Sequence, residues 1–199
     1  MTQFLRCGLA ALFLYAFAGT VSAQQAVGKL VLDVKPFTSE IDLKAKVNDT
    51  LQHGALDWGA KDGRIVFTSI AKQYINFDMS HFTRFGESTG VDLPPGDYKV
   101  SCAGLVPHTA FSPQSMLKKG GFFNIDVLTV HIEAGKTTTL TIHPVIRKQA
   151  TFLLNFFQAE FVATTTFDGT TSPETSLNMM APTSVKWDDY KGDLKYQVK

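Results

Sequence analysis

The sequence predicts an all-β fold, an antiparallel β-sandwich of about seven to nine strands. Short runs rich in Val, Ile, Thr and aromatic residues recur along the chain, and Gly, Pro, Asp and Ser separate them. Several of these runs alternate apolar and polar side chains, as half-buried strands do. No repeat of roughly 20 to 50 residues and no glycine-rich phosphate loop is present, so solenoid and nucleotide-binding folds are not favoured.

The predicted strands follow one another closely. In chain order they are 28–35, 41–47, 64–70, 72–78, 97–103, 122–133 and 137–146, with two more, SVKWDDY and LKYQV, around Lys191-Gly192-Asp193. The stretch Pro94-Pro95-Gly96 predicts a turn before the fifth of them, because Pro fixes φ and Gly accepts a positive φ. Many short strands joined by turns are typical of two stacked sheets.

The loop at 134–136 predicts a β-hairpin. In this register Val130 faces Leu140 and Leu128 faces Ile142, which places four apolar side chains on one face. The alternative is that the chain crosses to the opposite sheet at this loop, and then the two strands do not pair.

Two C-terminal segments are less regular. The stretch 151–162 fits a strand or a short helix, and we favour a strand because aromatic residues are dense and no good N-cap precedes it. The Thr/Ser-rich stretch at 163–176 is predicted to be a long loop.

Residues 1–23 have the pattern of a signal peptide. Arg6 supplies a positive start, an apolar stretch follows, and Val21-Ser22-Ala23 resembles a cleavage site before Gln24. The sequence therefore predicts export to the periplasm or the medium, and one β-sandwich domain over 24–199. No other segment is long and apolar enough to span a bilayer, so we expect no stable membrane insertion after cleavage.

Charge and cysteine content exclude several functions. Without residues 1–23 the chain keeps 18 acidic residues and 18 of its 19 basic ones, a balance that does not favour binding to nucleic acid. Only Cys102 remains after cleavage, so no intramolecular disulfide can form, and we expect a buried thiol on the strand face of Tyr98 and Val100. A reactive thiol or a bridge between two chains is the alternative.

Two pieces of the chain carry a resemblance to a known fold family. VDLPPGDYKV (91–100) and IEAGKTTTLTI (132–142) resemble the "proline-glycine, then tyrosine strand" and "glycine-lysine, then threonine strand" of prealbumin-like and carboxypeptidase-regulatory-like β-sandwiches. The resemblance implies a binding, spacer or accessory module, and it transfers no functional residue to this chain.

The segment HGALDWGAKDGR (53–64) is the first candidate site. If Trp58 is exposed, its ring can stack on a sugar while Asp57 hydrogen-bonds the sugar hydroxyls. The alternative is that Trp58 caps the core, and we favour it because a tryptophan gains much from burial.

The loop at 78–87 is the second candidate site. Asp78, Ser80 and His81 are the residue types of a hydrolytic triad, but their proximity in sequence does not establish the geometry. The better functional interpretation is a recognition loop, with Phe82, Arg84 and His81 as contact residues. The structural alternative is a polar loop whose Phe77, Phe82 and Phe85 plug the end of the core.

No metal site or cofactor is predicted. His131 and Glu133 share a strand face, yet they supply only two ligands where zinc needs three or four. We therefore expect an exported, non-catalytic β-sandwich that binds a protein partner, as an envelope accessory protein or a periplasmic inhibitor does. The alternatives are a carbohydrate-binding module that uses Trp58 and a hydrolase that uses the 78–87 loop.

Overall fold

Two β-sheets stacked on each other form the described part of the chain, which comprises residues 26–106, 112–148 and 158–195 of a computed structural model. Its strands are β1 (Gly28–Val34), β2 (Thr38–Ser39), β3 (Ala55–Lys61), β4 (Arg64–Thr68), β5 (His81–Arg84), β6 (Ser88–Leu93), β7 (Gly96–Leu105), β8 (Gly121–Ile132), β9 (Thr137–Ile146), β10 (Glu160–Phe167), β11 (Thr170–Thr171), β12 (Thr175–Ser176) and β13 (Val185–Lys186). Two short α-helices, α1 (Ala45–Gln52) and α2 (Pro113–Gly120), and a 3₁₀ turn at Lys72–Tyr74 lie between them.

The predicted all-β sandwich is confirmed, and its sheets are mixed where purely antiparallel ones were expected. One sheet has seven strands, with the order β11-β10-β9-β1-β6 and with β12 and β2 alongside β10 and β9. The other has six strands in the order β13-β8-β7-β4-β3-β5. The pairs β1–β9, β2–β9 and β4–β7 are parallel, because long connections separate them and a parallel pair requires such a crossover.

The main core lies between the two sheets. Leu30, Leu32 and Val34 of β1 point into it, as the period of two along a strand requires. Cys102 is fully buried in the same cluster as Tyr98 and Val100, so this face of β7 is the core face. The predicted packing role of the thiol is confirmed.

A second apolar cluster covers the outer face of the six-stranded sheet. Val66 of β4 and Ala103 of β7 point outward and lie beneath three segments, residues 70–79, α2 and the C-terminal stretch 185–194. The buried residues of this cluster are Val66, Tyr74, Ile75, Met79, Ala103, Leu117, Phe123, Trp187, Tyr190 and Leu194. Where these segments cover it, at Val66, Ala103 and Phe123, the sheet is therefore buried on both faces.

The outer face of the seven-stranded sheet carries threonines. Thr137, Thr139 and Thr141 alternate along β9 with the buried residues Thr138, Leu140 and Ile142. On the neighbouring β10, Thr166 lies opposite Thr139 and Thr164 lies opposite Thr141. These outward threonines are exposed or half-buried, and among the described residues no apolar cluster covers them.

Two predicted strands are wrong. Residues 41–47 lead into helix α1. Ile41 and Leu43 pack against the main core without joining a β-sheet. Their alternation with polar residues therefore indicates which side of the segment faces the interior and does not indicate a strand. Residues 72–78 form the 3₁₀ turn and a covering segment, because their apolar side chains pack on the sheet and do not extend it.

The predicted hairpin at 134–136 is also wrong. β8 belongs to the six-stranded sheet and β9 to the seven-stranded one, so the chain crosses between sheets at this loop. Val130 and Leu140 both lie in the main core, where they belong to opposite layers. Two strands whose apolar faces match can be hydrogen-bonded neighbours in one sheet, or they can lie in opposite sheets with their side chains in contact across the core. The sequence pattern does not distinguish these two arrangements.

The C-terminal third differs from expectation as well. Residues 163–176, predicted as a loop, contain the end of β10 and the short strands β11 and β12 that pair back onto it. Around Lys191 the predicted strands reduce to β13, and Trp187 is buried in the outer cluster. Residues 151–157 of the ambiguous stretch 151–162, and the predicted signal peptide 1–23, lie outside the described residues.

Candidate binding surface

Trp58 lies in the core and not on the surface. Its exposed fraction is 0%, and its indole Nε1 donates a hydrogen bond of 3.0 Å to Thr83 Oγ1. Thr83 Oγ1 is in turn 2.8 Å from Thr89 Oγ1, so this chain of bonds links the edge strands of the two sheets. Because no face of the indole is open to a ligand, the favoured interpretation of a core Trp58 holds and the alternative of a sugar-stacking Trp58 is wrong.

His81 packs against Trp58. The two residues are cross-strand neighbours on β5 and β3, and their ring centres are 4.5 Å apart. Within the described part of the chain, no hydrogen bond joins His81 to Ser80 or Asp78. The structure therefore does not assemble these three neighbours into a triad.

The other three predicted contact residues lie together on the outer face. Phe82 pairs with Asp57 across β5 and β3, and Arg84 Cζ is 5.8 Å from the centre of the Phe82 ring. The exposed fraction of Phe82 is 57%, and Lys72 Nζ is 3.6 Å from Asp57 Oδ1. We call Asp57, Lys72, Phe82 and Arg84 the β5 patch.

A groove of about 500 Å³ adjoins the β5 patch. Asp57 belongs to both, and Ala55, which also lines the groove, pairs directly with Arg84. We call this cavity the end groove, and its lining residues are Thr50, Leu51, Gly54, Ala55, Asp57, Thr68, Ser69, Ile70, Phe85, Leu105, Met116, Gln158, Ala159, Phe161 and Asn178.

The buried polar side chains of the end groove are already satisfied by the protein. Asn178 donates to Ala159 O at 2.8 Å, and its Oδ1 accepts from Phe161 N at 2.7 Å. Thr68 Oγ1 lies 3.0 Å from both Ile70 O and Ile70 N, which closes a local turn. These groups hold the walls in place, so the surface they leave for a ligand is mainly apolar.

The end groove has little capacity for acid–base chemistry. Among the described residues, Asp57 is the only titratable one that lines the groove, and Lys72 lies beside that carboxylate. General acid–base catalysis usually needs a second group of complementary role within reach of the substrate. The described lining supplies one such group, the Asp57 carboxylate.

His131 and His143 lie close to polar side chains, and Cys102 is a buried free thiol. His131 Nδ1 is 2.7 Å from Asp97 Oδ1, and Thr38 Oγ1 is 2.7 Å from His143 Nε2. Burial raises the pKa of the Cys102 thiol to about 12, which keeps it protonated. Among the described residues, no three His, Cys, Asp or Glu side chains come close enough to hold a metal ion.

The end groove was not predicted from the sequence. Leu51 of α1, Met116 of α2 and Phe161 of β10 lie far apart along the chain and meet only through the fold. No local pattern marks these residues as neighbours. In the β5 patch, by contrast, Phe82 and Arg84 are two residues apart in sequence, and Asp57 joins them through strand pairing.

Comparison with known proteins identifies no relative, since no family model, curated protein or solved structure matches this chain. The prealbumin-like resemblance stays a prediction. In the described part of the chain, every helix is too short or too polar to cross a membrane.

Proposed function

We propose that the protein is an exported, non-catalytic β-sandwich that binds another protein, as an envelope accessory protein or a periplasmic inhibitor would. The observation that carries this proposal is the β5 patch, where a largely exposed phenylalanine is stacked with an arginine at the edge of a sheet. The prealbumin-like resemblance is compatible with such an accessory role.

The composition of the β5 patch suits a protein interface. Aromatic residues and arginine are enriched at the energetic centres of interfaces, where they bury large areas with little loss of side-chain freedom. The contact between Phe82 and Arg84 holds both side chains before a partner arrives. Pre-ordered contact residues reduce the entropy that binding costs.

The two other functions predicted from the sequence have less support. Carbohydrate binding depended on an exposed Trp58, which is buried. Hydrolysis depended on a hydrogen-bonded set around His81, whose ring instead packs on Trp58.

The experiment is a pull-down with the tagged mature protein from the native envelope and culture fluid, with partners identified by mass. The identified partner is then titrated against wild type, Phe82→Ala and Met180→Ala. We expect Phe82→Ala to weaken binding at least tenfold, as the loss of an interface anchor does. Met180 is the matched control, because it is also a large exposed apolar side chain but lies outside the β5 patch.

Two results would contradict the proposal. A clean pull-down that recovers only small ligands argues against a protein partner. Equal affinities of wild type and Phe82→Ala for an identified partner argue against the β5 patch. Export has its own measurement, since the N-terminus of the secreted protein should be Gln24.

A further inference from the structure

Strand β6 is an open edge of the seven-stranded sheet. Among the described residues it pairs only with β1, and the register runs without a bulge from Leu93 opposite Gly28 to Ser88 opposite Asp33. The outermost strands at the other three edges, β5, β11 and β13, have four residues or fewer. β6 has six residues and contains no lysine and no proline. Proteins usually protect a long regular edge with such residues or with a bulge, and β6 has none of these.

The backbone groups on the outer side of β6 belong to alternate residues. Val34 N donates to Glu87 O at 2.9 Å, which makes this pair a hydrogen-bonded one. Bonded and non-bonded pairs alternate along an antiparallel ladder, so every second residue of β6 turns its N–H and C=O away from β1. The residues with outward backbone groups are Ser88, Gly90 and Asp92. Within the described ranges, no other strand pairs with them.

The complement of this edge is an extended chain. Outward N–H and C=O groups at every second residue match the backbone of another strand, as in proteins that bind a peptide by adding it to a sheet. The side chains set a further requirement. Val91 is half-buried and packs against the main core at the edge of the sheet. A residue opposite Val91 on an added strand continues the core face, so it should be apolar.

A second copy of β6 is a poorer complement. The antiparallel pairing that uses all three outward residues of both copies is centred on Gly90 and sets Thr89 opposite Val91. Each Val91 would then face a threonine in place of an apolar residue. A segment of a different protein has no such restriction.

β6 lies beside the β5 patch. Thr83 of β5 and Thr89 of β6 join the edges of the two sheets through hydroxyl oxygens that are 2.8 Å apart. Phe82 and Arg84, which precede and follow Thr83 in the chain, belong to the β5 patch. Because stacked sheets lie about 10 Å apart, a protein that contacts Phe82 also has β6 within reach.

We infer that β6 receives an extended segment of the protein partner as an added strand, with an apolar side chain of that segment opposite Val91. The inference deepens the proposed function and rests on it, since it specifies how a partner of the β5 patch is held. Hydrogen bonds to the outward backbone groups supply affinity, and the residue opposite Val91 supplies selectivity.

The experiment follows single amide protons of the full mature chain by NMR hydrogen exchange. The probe is the peptide acetyl-KTVTVTK-amide, and acetyl-KTSTSTK-amide, which lacks the apolar side chains, is the control. In the free protein, the amides of Ser88, Gly90 and Asp92 should exchange about tenfold faster, or more, than those of Thr89 and Val91. Saturation with the valine peptide should remove this difference, and the serine peptide should need a concentration about tenfold higher, or more.

Two variants at one position test the backbone contact. Gly90→Pro removes an outward N–H and leaves the bonds to β1 in place, so it should weaken binding of the valine peptide about tenfold or more. Gly90→Ala keeps the N–H and is the matched control, which should bind the peptide as the wild type does. Urea unfolding shows whether both variants are folded. If Gly90→Pro is not, Ser88→Pro removes another outward N–H and takes its place.

The inference is overturned if the outward amides of the free protein already exchange as slowly as their neighbours, because another strand then covers the edge. A dimer in solution would identify that strand as a second copy of β6. Failure of the valine peptide to protect the three amides, or equal binding to Gly90→Pro and wild type, also overturns it. If the identified partner loses affinity for Phe82→Ala and not for Gly90→Pro, the proposed function stands and the added strand is wrong.

Discussion

The outer faces of the two sheets differ in what lies on them. On the six-stranded sheet, Phe123 is stacked between Trp187 and Tyr190, with ring centres 5.0 Å and 4.2 Å away, and the whole cluster is buried. On the seven-stranded sheet, rows of threonines face outward. The outer face of the six-stranded sheet is thus covered around Phe123, and the outer face of the seven-stranded sheet is exposed or half-buried at its threonines.

The difference follows from the strand sequences. In β4, Ile65 and Phe67 point into the main core and Val66 points outward, so the strand is apolar on both faces. In β9, apolar residues alternate with threonine, which suits a strand with one wet face. A strand that is apolar on both faces indicates a covering layer even when the covering segments have no regular structure themselves.

The largest expected effect comes from opening the covered face. Phe123→Ala should lower the free energy of unfolding by about 3–5 kcal/mol, because it removes the central ring of a buried stack. The measurement is urea-induced unfolding followed by circular dichroism. Thr166→Ala on the bare face is the control and should change stability by no more than about 0.5 kcal/mol. Equal losses in the two variants would remove the distinction between the faces.

The sequence was sufficient for the fold class and for most long strands, since β1, β4, β7, β8 and β9 lie where the patterns predict them. It failed where tertiary packing decides the structure. Residues 72–78 have the composition of a strand but bury Tyr74 and Ile75 on a sheet made by others. β3 was missed because Gly59, which weakens a strand pattern, is needed there for close approach of another segment.

The candidate site was only partly predicted from the sequence, because tertiary packing decides which of its residues are neighbours. Asp57, Phe82 and Arg84 are near in sequence or on paired strands, so they meet on one surface. The burial of Trp58 depends on its partner Thr83, 25 residues away, and the end groove depends on segments spread along the chain from Thr50 to Asn178. Local sequence patterns carry no information on contacts between residues that are distant in sequence.

Gly59 and Gly90 test the same difference between the covered face and the threonine face, with a smaller expected change in stability. A Cβ at Gly59 would lie 1.9 Å from the backbone oxygen of Asp78, in the segment that covers the sheet. Gly59→Ala should therefore cost about 1–3 kcal/mol of stability, as overpacking does. At Gly90, on the bare side, the nearest atom is Lys29 Cε at 2.9 Å, and this flexible side chain can move away.

Gly90→Ala should accordingly stay within about 0.5 kcal/mol of the wild type. Thermal unfolding of both variants is a sufficient measurement, and limited proteolysis shows whether residues 70–79 loosen in Gly59→Ala. If Gly59→Ala is as stable as Gly90→Ala, residues 70–79 do not lie tightly on the sheet.

The smallest effect is a pH dependence that reports on the main core between the two sheets, where Cys102 lies. Burial raises the pKa of the Cys102 thiol from 9.0 to about 12, so the unfolded chain releases this proton at a lower pH than the folded one. Stability is therefore unaffected below about pH 9 and falls as the pH rises from there toward about 12. At pH 10 the loss should be about 1 kcal/mol.

The control is Cys102→Ala, which lacks the thiol but keeps every other titrating group. The difference in urea midpoint between pH 8 and pH 10 should be larger in the wild type than in this variant. The same burial should keep native Cys102 unreactive toward a thiol reagent at pH 8 until the protein is unfolded. A rapid reaction of the native protein would mean that the two sheets separate easily, since Cys102 lies in the main core between them.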